Sequence, residues 1–295
     1  MDILKILELL FWSISSIFWI VGLLVCLVKI NQLIGRIPKN REHIEYFDND
    51  FLSEKFLIHK KGHYADGLAT GYWQTFFEKQ FLSECGKFFE GLKVGYWEYY
   101  YENSQLKKKG EYVMGNENGD WEFYHKDGVL FSKGSYLNGK EDGYWEVFYE
   151  NGLVAIKGAY LNGKEEGVWE YYSVDGNLFE IISYLNGKKN GLFERNYESK
   201  KIWIKGSFLD EKKNGLWEEY YENGNLFKCE NYLKGELNGN YLEYYENGQL
   251  YEKGSYLNGI ENGIWEVYKE NGILEVKGDT LTRLKFYMEQ IKSQE

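Results

Sequence analysis

The chain has 295 residues, a formal net charge of −11, 33 glycines, one proline and 19% aromatic residues. The acidic charge argues against a nucleic-acid partner, because such partners are held by basic patches. Abundant glycine with almost no proline indicates many tight turns between hydrogen-bonded strands, since proline cannot donate to a strand ladder.

The first predicted element is a membrane-spanning helix at residues 9–28. This run of twenty residues carries no charge and is long enough to cross a bilayer core. A cleaved signal peptide is less favoured, because no basic region precedes the run and no small-residue cleavage site follows it. One lysine precedes the run and four basic residues follow it closely, namely Lys29, Arg36, Lys39 and Arg41. The positive-inside rule therefore predicts a single-pass anchor, residues 1–43, with the repeats in the cytoplasm; the alternative places them outside it.

A repeat array follows the anchor. Residues 44–70 resemble a degenerate leading repeat, and nine units that recur with a period of 24 residues occupy residues 71–280. Each unit begins with a glycine and has an aromatic residue two positions later. That residue is tryptophan in seven units: Trp73, Trp97, Trp121, Trp145, Trp169, Trp217 and Trp265. Such a constant period predicts a repeat architecture.

Each unit predicts one β-hairpin. In the fourth unit, two segments rich in aromatic and β-branched residues flank Asn151-Gly152. Asn-Gly favours a two-residue type I′ turn, which sets Tyr149 opposite Val154 and Trp145 opposite Gly158. We expect the tryptophan ring to lie on the backbone of the facing glycine. The same register pairs Trp73 with Gly86, Trp97 with Gly110, Trp121 with Gly134, and Trp265 with Gly278.

The opposite face of the predicted hairpin supports this register. Glu146 falls opposite Lys157 and Tyr220 falls opposite Phe227, and equivalent pairs recur in other units. Opposite charges and aromatic rings that face each other across strands stabilise a sheet. A second dipeptide, Asn138-Gly139, turns the chain into the next unit, and its loop length stays open.

A short amphipathic helix is predicted at residues 281–293, so that residues 281–295 form a cap on the last strand. The fold class that follows is all-β. The sequence predicts an elongated single-layer antiparallel meander of 24-residue β-hairpin repeats, preceded by one N-terminal transmembrane helix.

The string K-G-x-Y-x-N-G-K-x-x-G-x-W-x-x-Y resembles the MORN repeat in its bacterial variant form, as found in the YwqK family of antitoxin-like proteins. The resemblance covers residues 62–280. It implies a β-meander with a role in scaffolding, protein contact or membrane-proximal assembly, and it implies no catalysis. The membrane span departs from the family pattern.

No metal site, cofactor or catalytic residue is predicted. His59 and His63 are four residues apart and His43 lies upstream, but no fourth ligand completes a zinc site. The many glutamates are accounted for by ion pairs and turns, so an enzyme is not expected. Three cysteines, Cys26, Cys85 and Cys229, are expected to be free thiols.

The unit at residues 191–214 departs most from the repeat and is the predicted partner site. Phe193 replaces the tryptophan, Ser199-Lys200 replaces Asn-Gly, and Arg195 occupies a position that holds valine or an aromatic residue in five other units. Trp203 is expected on the opposite face from Arg195. The competing interpretation is a decayed repeat that its neighbours support.

Two functions remain open. The first is a membrane-tethered scaffold that binds a protein partner, for which the family resemblance suggests a toxin. The second is a surface-exposed module that binds a ligand or a cell-wall polymer through aromatic cages.

Overall fold

The computed structural model describes residues 41–47 and 57–292. The predicted membrane span at residues 9–28 lies outside the described residues. Within the described part of the chain, no helix is long and apolar enough to cross a membrane. The chain divides into two compact units, Met1–Gly95 and Tyr96–Glu295.

The first unit is an antiparallel arrangement of short strands. They are β1 (Arg41–Tyr46), β2 (Ile58–Ala65), β3 (Leu68–Phe76), β4 (Leu82–Phe89) and the beginning of β5 (Leu92–Tyr100). Strand β2 pairs with β1 and β3, and β3 pairs with β4. The leading repeat thus contributes strands that pair in the same way as those of the regular units.

The second unit continues the hairpin pattern. Its further strands are β6 (Leu106–Val113), β7 (Asn116–Tyr124), β8 (Leu130–Leu137), β9 (Lys140–Phe148), β10 (Val154–Leu161), β11 (Lys164–Tyr172), β12 (Leu178–Leu185), β13 (Lys188–Asn196), β14 (Ile202–Leu209), β15 (Lys212–Lys213), β16 (Gly215–Tyr220), β17 (Leu226–Leu233), β18 (Glu236–Tyr244), β19 (Leu250–Leu257), β20 (Ile260–Tyr268) and β21 (Leu274–Gly278). From β6 onwards, strands that follow one another pair antiparallel, except that β15 and β16 both pair with β14 and not with each other. The all-β antiparallel meander is confirmed within each unit.

The two Asn-Gly turns of a repeat differ from each other. Asn138 and Gly139, between repeats, both have positive φ (52° and 78°) and join the paired residues Leu137 and Lys140. This is the two-residue type I′ turn. Within the hairpin, only Gly152 of its turn has positive φ, at 82°. The prediction of a type I′ turn at Asn151-Gly152 is therefore wrong, and Asn138-Gly139, whose loop length the sequence does not fix, forms that turn.

The turn inside the hairpin has three residues. The N–H of Gly152 donates to the carbonyl of Tyr149 at 2.9 Å, and the N–H of Tyr149 donates to the carbonyl of Leu153 at 2.9 Å. A type I turn that ends in a left-handed glycine has this pattern. The side chain of Asn151 stabilises this turn with two hydrogen bonds. Nδ2 donates to the carbonyl of Val174 at 2.8 Å, and Oδ1 accepts from the N–H of Leu153 at 3.0 Å.

The longer loop shifts the register near the turn, and a bulge restores it. Phe148 pairs with Val154 and Val147 pairs with Ile156, so Ala155 is the extra residue. Tyr149 therefore does not face Val154 as predicted, and Tyr220 likewise pairs with Leu226 and not with Phe227. Beyond the bulge the predicted register is confirmed. Glu146 faces Lys157, Trp145 faces Gly158, and the pairs Trp73–Gly86, Trp121–Gly134 and Trp265–Gly278 are also present.

The tryptophan ring lies on a different glycine from the one predicted. A Cβ added to Gly158 would lie 2.2 Å from the ring of Trp169, and one added to Gly134 would lie 2.1 Å from the ring of Trp145. Each ring therefore covers the glycine eleven residues before it, on the preceding strand. The same contact joins Gly62 to Trp73, Gly110 to Trp121, Gly206 to Trp217 and Gly254 to Trp265.

A bulge on the tryptophan strand explains this choice. The pairing of β10 with β11 skips residues at Gly167, which has a positive φ of 72°. The bulge breaks the ladder beside Ala159, and the indole Nε1 of Trp169 donates to the carbonyl of Ala159 at 3.2 Å. Trp145 and Trp217 make the equivalent bonds to Ser135 and Ser207, both at 3.1 Å. The ring is thus held over the preceding strand by its own hydrogen bond.

The rings form the core on one sheet face, called here the Trp face. The seven ladder tryptophans are each at most 9% exposed. Tyrosines pack edge-on against them, as Tyr160 does against Trp169 with ring centroids 4.9 Å apart. Such aromatic pairs contribute about 0.5–1.5 kcal/mol each beyond the area they bury.

Two repeats show that glycine and ring size vary together. Ile182 occupies the position that holds glycine in most repeats. The residue eleven positions later is Phe193, and both side chains are buried. Where the glycine is Glu230, the later residue is Tyr241. A smaller ring accompanies a larger residue beneath it, as close packing requires.

At the C-terminus, helix α1 (Thr280–Lys292) occupies the region where a helix is predicted. Thr282 stands where a tryptophan would cover Gly278. The guanidinium of Arg283 lies 4.0 Å from the ring centroid of Trp265 and forms ion pairs with Glu252 and Glu261. The helix therefore covers the Trp face of the last repeat.

We expect Gly158→Ile to lower the free energy of unfolding by more than about 2 kcal/mol, because its side chain must displace the Trp169 ring. Adding Trp169→Phe, which copies the natural Ile182–Phe193 pair, should recover at least about 1 kcal/mol. Lys157→Ala, at the neighbouring half-exposed position, should cost under about 1 kcal/mol. The measurement is urea unfolding of these three variants and of Trp169→Phe alone, which completes the double-mutant cycle. Additive effects of the two ring-site substitutions would contradict the assigned contact.

Candidate interaction surfaces

Phe193, one of the three predicted partner residues, is a packing residue. It is buried in a cluster with Trp169, Ile182 and Trp217, and it stacks on the Trp217 ring with centroids 5.4 Å apart. Its side chain is therefore not offered to a partner, and its replacement of tryptophan follows from Ile182 beneath it.

Arg195 and Trp203 lie together on the surface. Arg195 forms an ion pair with Glu180 on the facing strand, with Nε 2.7 Å from Oε2. Its guanidinium lies 5.9 Å from the ring centroid of Trp203, which is 40% exposed. The expectation that Trp203 lies on the opposite face from Arg195 is wrong, because Trp203 is the extra residue of a bulge between Ile202 and Ile204.

The turn of this unit keeps the shape of the others without glycine. Lys200 has a positive φ of 67° and donates its N–H to the carbonyl of Tyr197 at 2.9 Å. A lysine in the left-handed region is strained relative to glycine. Packing thus accounts for Phe193, and ion pairing for Arg195. The role of Arg195 and Trp203 in binding a partner stays a prediction.

The opposite side of the sheet, called here the Lys-Glu face, carries a row of ion pairs. Lys157 Nζ lies 2.9 Å from Glu170 Oε2, on the next strand, although Glu146 was the predicted partner. Hydrogen bonds from Lys157 and Tyr172 lower the pKa of Glu170. Equivalent pairs are Lys109–Glu122, Lys133–Glu146, Lys205–Glu218 and Lys253–Glu266. These half-exposed pairs are each worth under about 1 kcal/mol.

Two rows of exposed apolar side chains flank these ion pairs in the second compact unit, Tyr96–Glu295. One row directly precedes the ring position, and Tyr144 of this row lies in the field of Lys157 and Glu146. The other row directly precedes the turn between repeats. Their members are 43–57% exposed: Tyr96, Tyr144, Val168, Leu192, Leu216 and Ile264 in the first row, and Val113, Leu137, Leu161, Leu185, Leu209, Leu233 and Leu257 in the second. Ordered apolar exposure of this kind is typical of an interaction surface.

The predicted absence of metal chemistry concerns three histidines. His43 and His59 both face Glu45, with nitrogen–oxygen distances of 3.7 and 3.4 Å. Lys60 Nζ lies 2.9 Å from the same carboxylate. The ammonium group of Lys60 therefore occupies the position beside Glu45 that a metal cation would need. In the part of the chain that the structure describes, no group of three or more His, Cys, Asp or Glu side chains is placed to hold a metal ion.

Neither Cys85 nor Cys229 forms a disulfide, as predicted, whereas Cys26 lies outside the described residues. Burial, together with Glu218 and Glu230, raises the pKa of the Cys229 thiol. A raised pKa leaves little thiolate at neutral pH, so Cys229 is not an activated nucleophile.

A family model described as MORN repeat variant matches residues 93–114, 117–138, 213–234 and 237–258. Each matched segment holds one hairpin and ends at or beside the turn that leads to the next repeat. Comparison with curated proteins gives no match. The chain is thus similar to MORN variant repeats at four places, and the finer resemblance to the YwqK family stays a prediction.

Glu266 provides a test of the Lys-Glu face. Lys253 and Lys277 each place Nζ 2.7 Å from its carboxylate, and with Tyr268 they lower its pKa from 4.5 to about 2. A lowered pKa stabilises the fold above pH 4.5, and this stabilisation is lost as the pH falls through 2. We expect Lys253→Met with Lys277→Met to move the NMR titration midpoint of Glu266 towards 4.5.

The matched control is Lys269→Met with Lys285→Met, which removes the same charge elsewhere on the last repeat and on α1. It should leave the Glu266 midpoint unchanged. Equal shifts in both double variants would show that net charge, and not the two contacts, sets this pKa.

Proposed function

We propose that this chain is a repeat scaffold that binds a protein partner on the Lys-Glu face of its second unit and is tethered to a membrane by residues 9–28. The observation that carries the proposal is the pair of exposed apolar rows, which recur at the same two positions of most repeats, with Asp120 and Asn240 interrupting the first row. Single exposed apolar residues are normal on any protein, but rows at a fixed repeat position are not explained by chance exposure.

The arrangement of charge on the same face supports a protein partner. Lysine and glutamate alternate between the apolar rows and pair with each other across strands. An apolar surface crossed by polar groups that are already paired is of the kind found in protein–protein interfaces. The resemblance to antitoxin-like proteins extends the proposal to a toxin as the partner.

Burial of the ladder rings supports this function over the binding of a wall polymer through aromatic cages. An open cage needs ring faces that a ligand can reach. The ladder tryptophans are largely covered by glycine backbone on one side and by tyrosine edges on the other.

The apolar rows are tested with Leu192→Ser combined with Leu216→Ser. We expect at least a tenfold loss of partner captured on the full-length chain after crosslinking in the native host, since central apolar contacts dominate interface energies. Leu153→Ser with Ile273→Ser is the matched control, because these residues are similarly exposed but lie at hairpin turns. Unchanged capture by the first variant, or an equal loss in both, would contradict the proposed surface.

The tether is tested separately. We expect deletion of residues 9–28 to release the chain from membranes, and protease added to intact cells to leave the repeats undigested. Digestion of the repeats would place them outside the cytoplasm. Membrane association that survives the deletion would show that the run is not the anchor.

A further inference from the structure

One glutamate of the Lys-Glu face, Glu194, differs from the others in its partners. In the regular units, a lysine bonds the glutamate on the strand that follows it. The residue that precedes Glu194 in this row is Ile181, which faces it directly from β12. Its neighbour on β14, Lys205, has Nζ 2.9 Å from Glu218 on the next strand. Within the part of the chain that the structure describes, Glu194 therefore forms no ion pair.

The tyrosine hydroxyl that other repeats supply to this glutamate is missing as well. Tyr172 stands two residues after Glu170 on one strand, and its hydroxyl donates to the carboxylate. Equivalent bonds join Tyr100 to Glu98, Tyr124 to Glu122 and Tyr268 to Glu266. The residue two positions after Glu194 is Asn196, whose Nδ2 donates to the carbonyl of Leu178 at 3.3 Å. The carboxylate of Glu194 thus lacks both of the donors that the repeat provides elsewhere.

Two other breaks in the row leave no such carboxylate. Cys229 also replaces a lysine, but the residue that faces it from β18 is Leu242, so no charge is left there. Glu146, whose tyrosine is replaced by Phe148, keeps Lys133 at 2.8 Å. A carboxylate retained without either donor is therefore a departure from the rule of these repeats, and such departures are expected at functional sites.

Asn196 is not explained by contacts inside the fold. Its Oδ1 is covered and has no hydrogen-bond partner among residues 41–47 and 57–292. A covered amide oxygen without a partner costs stability. An asparagine also fills less of this row than the rings of Tyr172 and Tyr220 in the neighbouring repeats.

Glu194 lies inside the surface proposed to bind the partner. Its side chain is half-buried and not covered. Leu192 stands two residues before it on the same strand, so both side chains point to the Lys-Glu face. Leu192 is 46% exposed and belongs to the first apolar row, as does Leu216, which is 47% exposed. A partner that covers these leucines therefore also covers the carboxylate.

We propose that Glu194 binds one arginine of an extended segment of the protein partner, with the guanidinium taking the places of the missing lysine and the missing tyrosine hydroxyl. Two donors are absent from one carboxylate, and a guanidinium donates two parallel N–H bonds where an ammonium group is a point charge. Alternate residues of an extended segment share a side. The residue two positions from this arginine is therefore apolar, since Leu192 lies two residues from Glu194. The inference rests on the proposed function and names the chemistry of the partner.

The probe is the peptide Leu-Ser-Arg-Ser-Leu, acetylated and amidated at its ends. It is added at up to about 10 mM to the full-length chain in non-ionic detergent, while NMR follows the carboxyl ¹³C shifts of the glutamates. The Glu194 shift should be half complete at a concentration at least about fivefold lower than any shift of Glu170 or Glu218, which keep their lysines. The same peptide with neutral citrulline in place of arginine should leave Glu194 unshifted.

Ile181→Lys should weaken the response of Glu194 at least about tenfold, because it restores the lysine of the regular units. Lysine stands at this position in many other units, so the fold should tolerate the change; these are Lys109, Lys133, Lys157, Lys205 and Lys253. Val174→Lys is the matched control. It adds the same charge at a hairpin-turn position that is 54% exposed, and it should leave the response within about twofold.

Ile181→Lys should also lower the capture of the partner by crosslinking at least about tenfold, whereas Val174→Lys should not. An Ile181→Lys variant that is more stable in urea but captures the partner normally would identify the unit as a decayed repeat. A Glu194 response that is absent or equal to that of Glu170, an equal response to the citrulline peptide, or equal weakening by the two variants would likewise overturn the inference.

The outcome is separable from that of the proposed function. If the peptide shows no preference for Glu194 while partner capture still depends on Leu192 and Leu216, the arginine site alone is refuted. If the peptide binds as expected but capture is independent of those leucines, the proposed scaffold surface is refuted and the arginine site is not.

Discussion

The contact between a tryptophan ring and the glycine backbone of the preceding strand is the constraint on which most of the repeats depend. The ring needs a residue without a side chain beneath it and a bulge on its own strand that turns it back over that residue. In the repeats of Trp121, Trp145, Trp169 and Trp217, the bulge frees a carbonyl and the indole N–H donates to it, so that neither polar group is buried without a partner. A sheet usually buries its apolar face against a second layer. Here much of that burial is achieved by side chains of the same sheet.

The two ends of each hairpin are joined to the next repeat in different ways. At the inner turn, side chains make the connection: the hydroxyl of Tyr149 donates to the carbonyl of Tyr172 at 2.6 Å, beside the bond from Asn151 to Val174. At the turn between repeats, the backbone does so, with the N–H of Gly163 donating to the carbonyl of Glu141 at 2.8 Å. An inserted residue at either turn would break one of these bonds. This explains why the period of the regular units stays at 24 residues.

The sequence was sufficient for the repeat, the hairpins and the pairing of Trp145 with Gly158, because period and alternation determine which residues can face each other. It was not sufficient for the side-chain partners. A strand inside the sheet has two neighbours, and the sequence sets the register only for the neighbour within the hairpin, because it does not fix the loop length at Asn138-Gly139. Trp145 on Gly134, Lys157 with Glu170, and Arg195 with Glu180 all belong to the other neighbour.

The bulges are the second feature that the sequence does not determine. Asn-Gly satisfies both a type I′ turn and a turn that uses the asparagine amide, and only the coordinates separate the two. Because the inner turn has three residues, Trp203 lies beside Arg195 and not across the sheet from it. The sequence does contain a signal that Phe193 is a packing residue. The position eleven residues before it holds Ile182 in place of glycine. Tyr241, which also replaces tryptophan, likewise has no glycine eleven residues before it.

Because each ring covers a glycine made earlier in the chain, the repeat has a direction. A ribosome that works from the N-terminus delivers every new tryptophan to a surface that already exists, so the array can grow by addition of one hairpin at a time. The loss of a repeat therefore has different consequences at the two ends of the array. Removal from the C-terminal side uncovers a strip of glycine backbone, whereas removal from the N-terminal side leaves a large indole with nothing beneath it. Evolution can therefore lengthen or shorten such an array more cheaply at its C-terminal end, where the threonine and arginine of one helix suffice to close it.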